Sequence, residues 1–112
     1  MTSSPPPLPP SLLILGGSTR AAAESAVRAG VRPICADRFG DVDLHRIATV
    51  LPVSDYPHGL LAATESLPPT PWLYVGAIEN EPELIEAISQ RHPLLGNRSS
   101  VLSRIRDPFW IE

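Results

Sequence analysis

The sequence reads LLILGGSTR from Leu12 to Arg20, and this stretch decides the fold. Its first four residues are apolar without polar alternation, which is typical of a strand buried on both faces of a sheet. The pair Gly16-Gly17 lets the backbone turn at once. The alanine-rich residues 21–29 favour a helix that ends at Gly30. The stretch therefore predicts a β-strand, a glycine turn and an α-helix.

The turn itself is the first candidate for a binding site. The first N–H groups of a helix have no partner within the helix, and the helix dipole favours negative charge near them. We therefore expect an anion or phosphate at this corner. Ser18 or Thr19 is expected to be the N-cap, with its hydroxyl accepting a bond from a backbone N–H two or three residues on. Neither has a recognisable base beside it, so capping is favoured over a nucleophilic role.

Composition excludes several classes of function. A chain of 112 residues is one domain with one core. A net charge of -3 disfavours binding to nucleic acid, which requires clustered cations. All nine basic residues are arginine, so the chain has no Walker-type lysine and no Schiff-base lysine. The single cysteine, Cys35, and the lack of a long apolar run or signal peptide predict a soluble, cytoplasmic protein without membrane contact.

A second strand is predicted at residues 31–37, parallel to the first because a helix lies between them. Asp37 falls at its carboxyl end, about 20 positions past the first glycine. In nucleotide-binding βαβ units, an acidic residue near this position often contacts a ribose hydroxyl. Capping of the following loop explains Asp37 equally well, so both interpretations stay open.

The remaining pattern continues the alternation of helices and strands. We expect helices at 43–48, at 57–66 with Asp55 as cap, and from the cap Asn80 to about residue 91. We expect strands at 49–53 and 72–76, with a short strand or bend at 92–97. Pro52 places the third strand at an edge. The result is a three-layer Rossmann-like α/β domain with a mostly parallel sheet of four to five strands in the order 3-2-1-4.

Glu79 and Asn80 follow the fourth strand. Open α/β sheets bind ligands beyond the carboxyl ends of their strands, so both residues are candidates for the site. A loop carboxylate without a special role is the alternative for Glu79. The ligand crevice is expected where strands 1 and 4 diverge.

Two terminal segments flank this domain, which we place at residues 12–97. Residues 1–11 are rich in proline and are expected to be a disordered tail. Residues 98–112 resume a helical pattern and end in Phe109-Trp110-Ile111. Large apolar residues at a chain end suggest that more chain or a partner covers them.

Several segments together resemble one family. They are residues 13–20, residues 36–44 (ADRFGDVDL), residues 74–80 (YVGAIEN), Leu95-Gly96-Asn97, and residues 101–108 (VLSRIRDP). In order and spacing they are similar to the N-terminal, pre-ATP-grasp region of bacterial ATP-grasp ligases. The resemblance covers nearly everything after the proline tail.

This resemblance implies the substrate-side domain of an ATP-dependent carboxylate-amine ligase that works through an acyl phosphate. It implies ATP and magnesium as cofactors of the complete enzyme and none for this chain alone, with residues 98–112 leading to a downstream ATP-grasp domain or separate chain. Catalytic residues and metal ligands are not expected in this chain. The residues that would hold a small-molecule substrate are Gly16, Gly17, Ser18, Thr19, Asp37, Glu79 and Asn80.

Two other functions are compatible with the sequence. A small NAD(P)-binding domain would share the strand, glycine turn, helix and Asp37, although Ser18 and Ala21 occupy positions where its fingerprint has glycine. A non-catalytic interaction module could dock through the apolar residues at the C-terminus.

Overall fold

The protein is an α/β domain in which every pair of neighbouring strands is parallel, as seen in a computed structural model. The structure describes residues 10–38 and 42–97, except for the side chains at positions 77, 79, 96 and 97. The strands are β1 (Ser11–Gly16), β2 (Arg32–Asp37), β3 (Thr49–Leu51), β4 (Trp72–Val75) and β5 (Leu94–Asn97). The helices are α1 (Arg20–Arg28), α2 (Val42–His45), α3 (Gly59–Thr64) and α4 (Pro82–Ser89), with a 3-10 helix at Gly76–Asn80.

The sheet has the order β3-β2-β1-β4-β5. This confirms the predicted order 3-2-1-4 and adds the short fifth strand at the outer side of β4. Strand β1 lies in the centre, with Gly16 level with Asp37 of β2 on one side and with Val75 of β4 on the other. The carboxyl ends of these three strands therefore meet at one edge of the sheet, which we call the carboxyl edge.

The central strand is buried on both faces, as its apolar run predicted. Leu12 and Ile14 pack with the residues of α1 and α2, whereas Leu13 and Leu15 pack with those of α3 and α4. All four side chains have no exposed surface. Full burial of such a side chain contributes about 1.5–3 kcal/mol, so β1 is the main hydrophobic anchor of both layers.

Helix α1 ends where the sequence indicated. Its C-cap is Ala29, and Gly30 follows with a φ of 80°, a left-handed conformation that glycine adopts without steric cost. Strand β1 begins at Ser11, one residue before the predicted domain boundary. Strand β3 ends at Leu51 because Pro52 has no N–H to continue the ladder.

The predicted caps of α3 and α4 are wrong. The N-cap of α3 is His58, and Asp55 instead lies in the preceding loop with a φ of 57°. The N-cap of α4 is Glu81, because the chain after β4 first forms the 3-10 helix that includes Asn80. Both helices begin later than predicted since a turn with its own backbone hydrogen bonds precedes each of them.

His92 is buried in the layer of α3 and α4. Its Nδ1 accepts a hydrogen bond from the backbone N–H of Thr70 at 3.1 Å, and its Nε2 lies 3.1 Å from the carbonyl oxygen of Thr64. An N–H can only donate and a carbonyl can only accept, so the ring is neutral with its proton on Nε2. This side chain joins the end of α3, the approach to β4 and the approach to β5.

Candidate functional site

The glycine turn at the carboxyl edge is tightly packed. A Cβ on Gly16 would lie 2.6 Å from the carbonyl oxygen of Val75, closer than real side chains approach. The neighbouring Gly17 is roomier, since its nearest neighbour would be the hydroxyl of Tyr56 at 3.6 Å. Glycine at position 16 is therefore required by the close approach of β1 and β4, not by a ligand.

Asp37 occupies the start of helix α1. Its Oδ2 accepts hydrogen bonds from the backbone N–H of Thr19 at 2.6 Å and from the Thr19 hydroxyl at 2.8 Å. Thr19 is fully buried and Asp37 is 7% exposed. The carboxylate of β2 thus supplies the negative charge that the helix dipole favours at this end.

This arrangement corrects the predicted capping bond. Thr19 is the N-cap residue, as expected, but its side chain makes no cap hydrogen bond to a backbone N–H of α1. Its hydroxyl donates to Asp37 instead. The predicted position of the cap is confirmed, whereas the partner of its hydroxyl lies on a neighbouring strand, 18 positions away in the sequence.

Cys35 lies in the core beneath this pair. Burial raises the pKa of its thiol to about 11, a hydrogen bond with Thr19 opposes the rise, and the Asp37 carboxylate adds to it. The side chain is fully buried and remains a thiol at neutral pH. It therefore has the properties of a core residue, since the thiolate is the nucleophilic form.

Arg38 and Tyr56 lie beside the glycine turn. The backbone N–H of Arg38 donates to the carbonyl oxygen of Gly16 at 3.2 Å, and its guanidinium lies 5.8 Å from the centre of the Tyr56 ring. Burial raises the pKa of Tyr56, Arg38 lowers it and Asp37 raises it. The phenol is consequently neutral at physiological pH and can donate a hydrogen bond to a ligand.

Two cavities adjoin Arg38 at the carboxyl edge. One, of about 320 Å³, is called the edge cleft here; the described residues that line it are Arg38, Tyr56, Pro57, Ile78, Asn80 and Glu81. The other, of about 400 Å³, lies on the β3 side and has Asp37, Arg38 and His45 as its charged or titratable lining groups. Arg38 therefore separates two spaces that both open beyond the strand ends, where α/β sheets bind ligands.

A larger groove, of about 440 Å³, runs between α3 and α4. Its lining includes Leu61, Ala62 and Ala87, and at one end Arg91 donates a hydrogen bond to the carbonyl oxygen of Glu65. This groove lies along the helices and not at the strand ends. We regard it as a packing groove between two helices.

The structure brings several predicted site residues together. Gly16, Gly17 and Ser18 form the turn, with Ser18 exposed, and Thr19 and Asp37 lie directly beside it. Asn80 lines the edge cleft together with Tyr56. The side chain of Glu79 lies outside the described part of the chain. That these residues hold a substrate remains a prediction.

Sequence reasoning missed Arg38, Tyr56 and Glu81. Arg38 immediately follows the predicted strand, so its position at the carboxyl edge could have been recognised. Tyr56 and Glu81 could not, because their placement depends on how the β3–α3 loop and the 3-10 helix fold back over the sheet.

Within residues 10–38 and 42–97, no group of three or more His, Cys, Asp or Glu side chains could hold a metal ion. In the same residues, no helix is long and apolar enough to cross a membrane. Comparison with family models, with curated proteins and with solved structures produced no match to this chain.

Proposed function

We propose that this chain is the substrate-side N-terminal domain of an ATP-dependent carboxylate-amine ligase that uses an acyl-phosphate mechanism. Such a domain binds and orients a small substrate, while a separate ATP-grasp domain activates a carboxylate with ATP. The proposal places the protein in the cytoplasm.

The edge cleft is the observation that supports this function best. It places a guanidinium, a phenol, an amide and a carboxylate around about 320 Å³ at the carboxyl ends of the strands. Ligand sites of proteins are typically concave, with apolar walls and a few polar groups that fix orientation. The cleft has this composition, since Ile78 and Pro57 contribute apolar wall and four side chains contribute polar groups.

The position of Asp37 also favours a substrate site over a phosphate site. Its carboxylate already lies at the start of α1, where a nucleotide phosphate would have to bind. A second anion there would be repelled at short range. The same bonds disfavour the NAD(P)-binding alternative, because one of the two oxygens of the Asp37 carboxylate is already bound to Thr19 at the helix start.

ATP and magnesium do not fit this chain. The sequence has no lysine to contact nucleotide phosphates, and the described residues contain no cluster of metal ligands. In this proposal both belong to the ATP-grasp domain, where ATP supplies the phosphoryl group. The alternative of an interaction module rests on residues 98–112, which lie outside the described residues.

Calorimetric titration tests the proposal. We expect small carboxylic acids or primary amines to bind the chain and magnesium-ATP to leave it unchanged. The variant Arg38→Gln should weaken the binding of a carboxylate-bearing ligand at least tenfold, because it removes the guanidinium that faces the cleft. Arg28→Gln is the matched control, because Arg28 is exposed on α1 and its side chain contacts Ser25 on the same helix.

Tight binding of magnesium-ATP by this chain alone would contradict the proposal. A change in nicotinamide fluorescence on mixing with NAD(P)H would do so as well, and would instead favour the dinucleotide-binding function. Equal ligand affinities of the Arg38→Gln and Arg28→Gln variants would show that the ligand binds outside the edge cleft.

A further inference from the structure

The edge cleft carries opposite charges on two different elements. Arg38 follows β2 and contributes a guanidinium, and Glu81 caps α4 and contributes a carboxylate. Asn80 and the Tyr56 hydroxyl add groups that can both donate and accept hydrogen bonds. A ligand in this cleft therefore meets a positive group and a negative group at once.

Backbone hydrogen bonds hold the main chain at both charged residues. The N–H of Arg38 donates to Gly16 at 3.2 Å. The N–H of Glu81 donates to the carbonyl of Ile78 at 2.8 Å, and the carbonyl of Glu81 accepts from Ile85 at 3.0 Å. The positions from which the two side chains extend are thus fixed by the sheet on one side and by α4 on the other.

Each of these side chains has a neighbour that bears on ligand binding. The Arg38 guanidinium lies against the Tyr56 ring at 5.8 Å, which orients it by a cation–π contact. The Glu81 carboxylate is 39% exposed and lies 3.7 Å from His58, whose side chain is 71% exposed. Such an exposed contact contributes little free energy, so an ammonium group can replace the histidine at small cost.

We infer that the edge cleft binds a free α-amino acid as its zwitterion. The ligand carboxylate lies on the Arg38 guanidinium, and the ligand ammonium lies on the Glu81 carboxylate. The amino acid's side chain lies against the apolar wall of Ile78 and Pro57. The role of this amino acid as the substrate of the ligase rests on the proposed function. Its binding to the edge cleft is independent of that function.

Size and charge both favour this ligand class. A volume of about 320 Å³ is at the lower end of the range for small-molecule sites, which suits a single amino acid better than a nucleotide. A simple carboxylate would satisfy Arg38 but meet the like charge of Glu81. A simple amine would satisfy Glu81 but meet the like charge of Arg38. Such juxtaposed like charges give specificity by excluding the wrong ligand.

The test uses the full chain and begins with the twenty protein amino acids, screened one at a time by changes in ¹H–¹⁵N chemical shifts. The best binder is then compared with two matched analogues, one without its amino group and one without its carboxylate. We expect shifts centred on residues 38, 56, 80 and 81, and at least tenfold weaker binding of both analogues. Equal binding of the amino acid and its analogues, or no shift with any amino acid, would overturn the inference.

Three variants sharpen this test. Glu81→Gln should weaken the binding of the amino acid at least tenfold. It should improve the binding of the deaminated analogue, because the carboxylate of the analogue no longer meets the like charge of Glu81. Ligand binding by His58→Gln should stay within about twofold of that of the parent chain, which separates the effect of losing the carboxylate from the effect of losing its contact with His58. Arg28→Gln should leave all ligands unchanged. A loss of binding in His58→Gln equal to that in Glu81→Gln would contradict the assigned role of Glu81.

The outcomes distinguish this inference from the proposed function. Binding of simple carboxylates or amines without any amino acid would overturn the inference and leave the ligase proposal standing. Amino-acid binding that depends on Arg38 and Glu81, together with tight magnesium-ATP binding by the same chain, would support the inference and contradict the ligase proposal.

Discussion

Asp37 accepts two hydrogen bonds from Thr19 through a single carboxylate oxygen, at 2.6 Å from the backbone nitrogen and 2.8 Å from the hydroxyl. The contact joins the end of β2 to the first turn of α1. It is buried and charge-assisted, the class of hydrogen bond with the largest contribution to stability.

Removing the charge of Asp37 should therefore destabilise the fold. We expect Asp37→Asn to lower the free energy of unfolding by about 1.5–3 kcal/mol, because the neutral amide is a weaker acceptor at the helix start. Urea denaturation followed by circular dichroism measures this difference. The control Thr19→Ser keeps both donors and should lose less than Thr19→Val, which keeps the backbone donor only. Equal losses in the two threonine variants would show that the hydroxyl bond contributes nothing.

The two glycines of the turn should differ in their tolerance of alanine. Gly16→Ala places a Cβ against the backbone of Val75 and should lower the free energy of unfolding by roughly 1–3 kcal/mol, the usual cost of overpacking. Gly17→Ala has ordinary contact distances and should be nearly neutral. Thermal denaturation of the two variants side by side checks this. A stable Gly16→Ala variant would mean that β1 and β4 lie farther apart than described.

Buried His92 should be essential for stability. His92→Leu fills similar space but leaves the Thr70 N–H and the Thr64 carbonyl without their ring partner. Each such buried group costs about 1–3 kcal/mol, so we expect a total loss of roughly 2–6 kcal/mol. The exposed His45 gives the control His45→Leu, which should change little. Nitrogen chemical shifts should show the proton of His92 on Nε2; a proton on Nδ1 would contradict the described hydrogen bonds.

Cys35 should make stability depend on pH in the alkaline range. The thiol has a pKa near 9.0 when unfolded and about 11 when folded. The folded state favours the protonated form, so its contribution is complete below pH 9 and is lost as the pH rises from about 9 to about 11. Comparison with Cys35→Ala between pH 8 and pH 11 should show the slope disappear in the variant.

The same thiol should react slowly with iodoacetamide at pH 8 in the folded chain and rapidly in urea. Fast alkylation of the folded chain would mean that Cys35 is accessible and that its pKa is not raised.

Most of the fold could be predicted because its signals are local. The apolar run of β1, the alanines of α1 and Gly30 each report on their own surroundings, and the alternation of strands and helices fixes the parallel order. The predicted caps of α3 and α4 are wrong although Asp55 and Asn80 are suitable capping residues. Each of them lies instead in a turn that precedes its helix. Propensity cannot decide between competing local hydrogen bonds.

The candidate site could be predicted only in part. The glycine turn and Asp37 were recognised because strand ends meet at one edge in any parallel sheet. Tyr56 lies 19 positions after Asp37 (56 - 37), and Glu81 lies 44 positions after it (81 - 37). No periodic pattern indicates where such loop residues lie, since their positions depend on tertiary contacts.

The central place of β1 has a consequence for the newly made chain. Leu13 is level with Trp72, 59 positions later (72 - 13), so one side of this largely apolar strand has no neighbour until β4 has left the ribosome. Contacts so distant in sequence form slowly, and an open apolar strand edge readily pairs with other chains. A product that terminated before Trp72 would therefore be expected to aggregate, however well its first three strands were assembled.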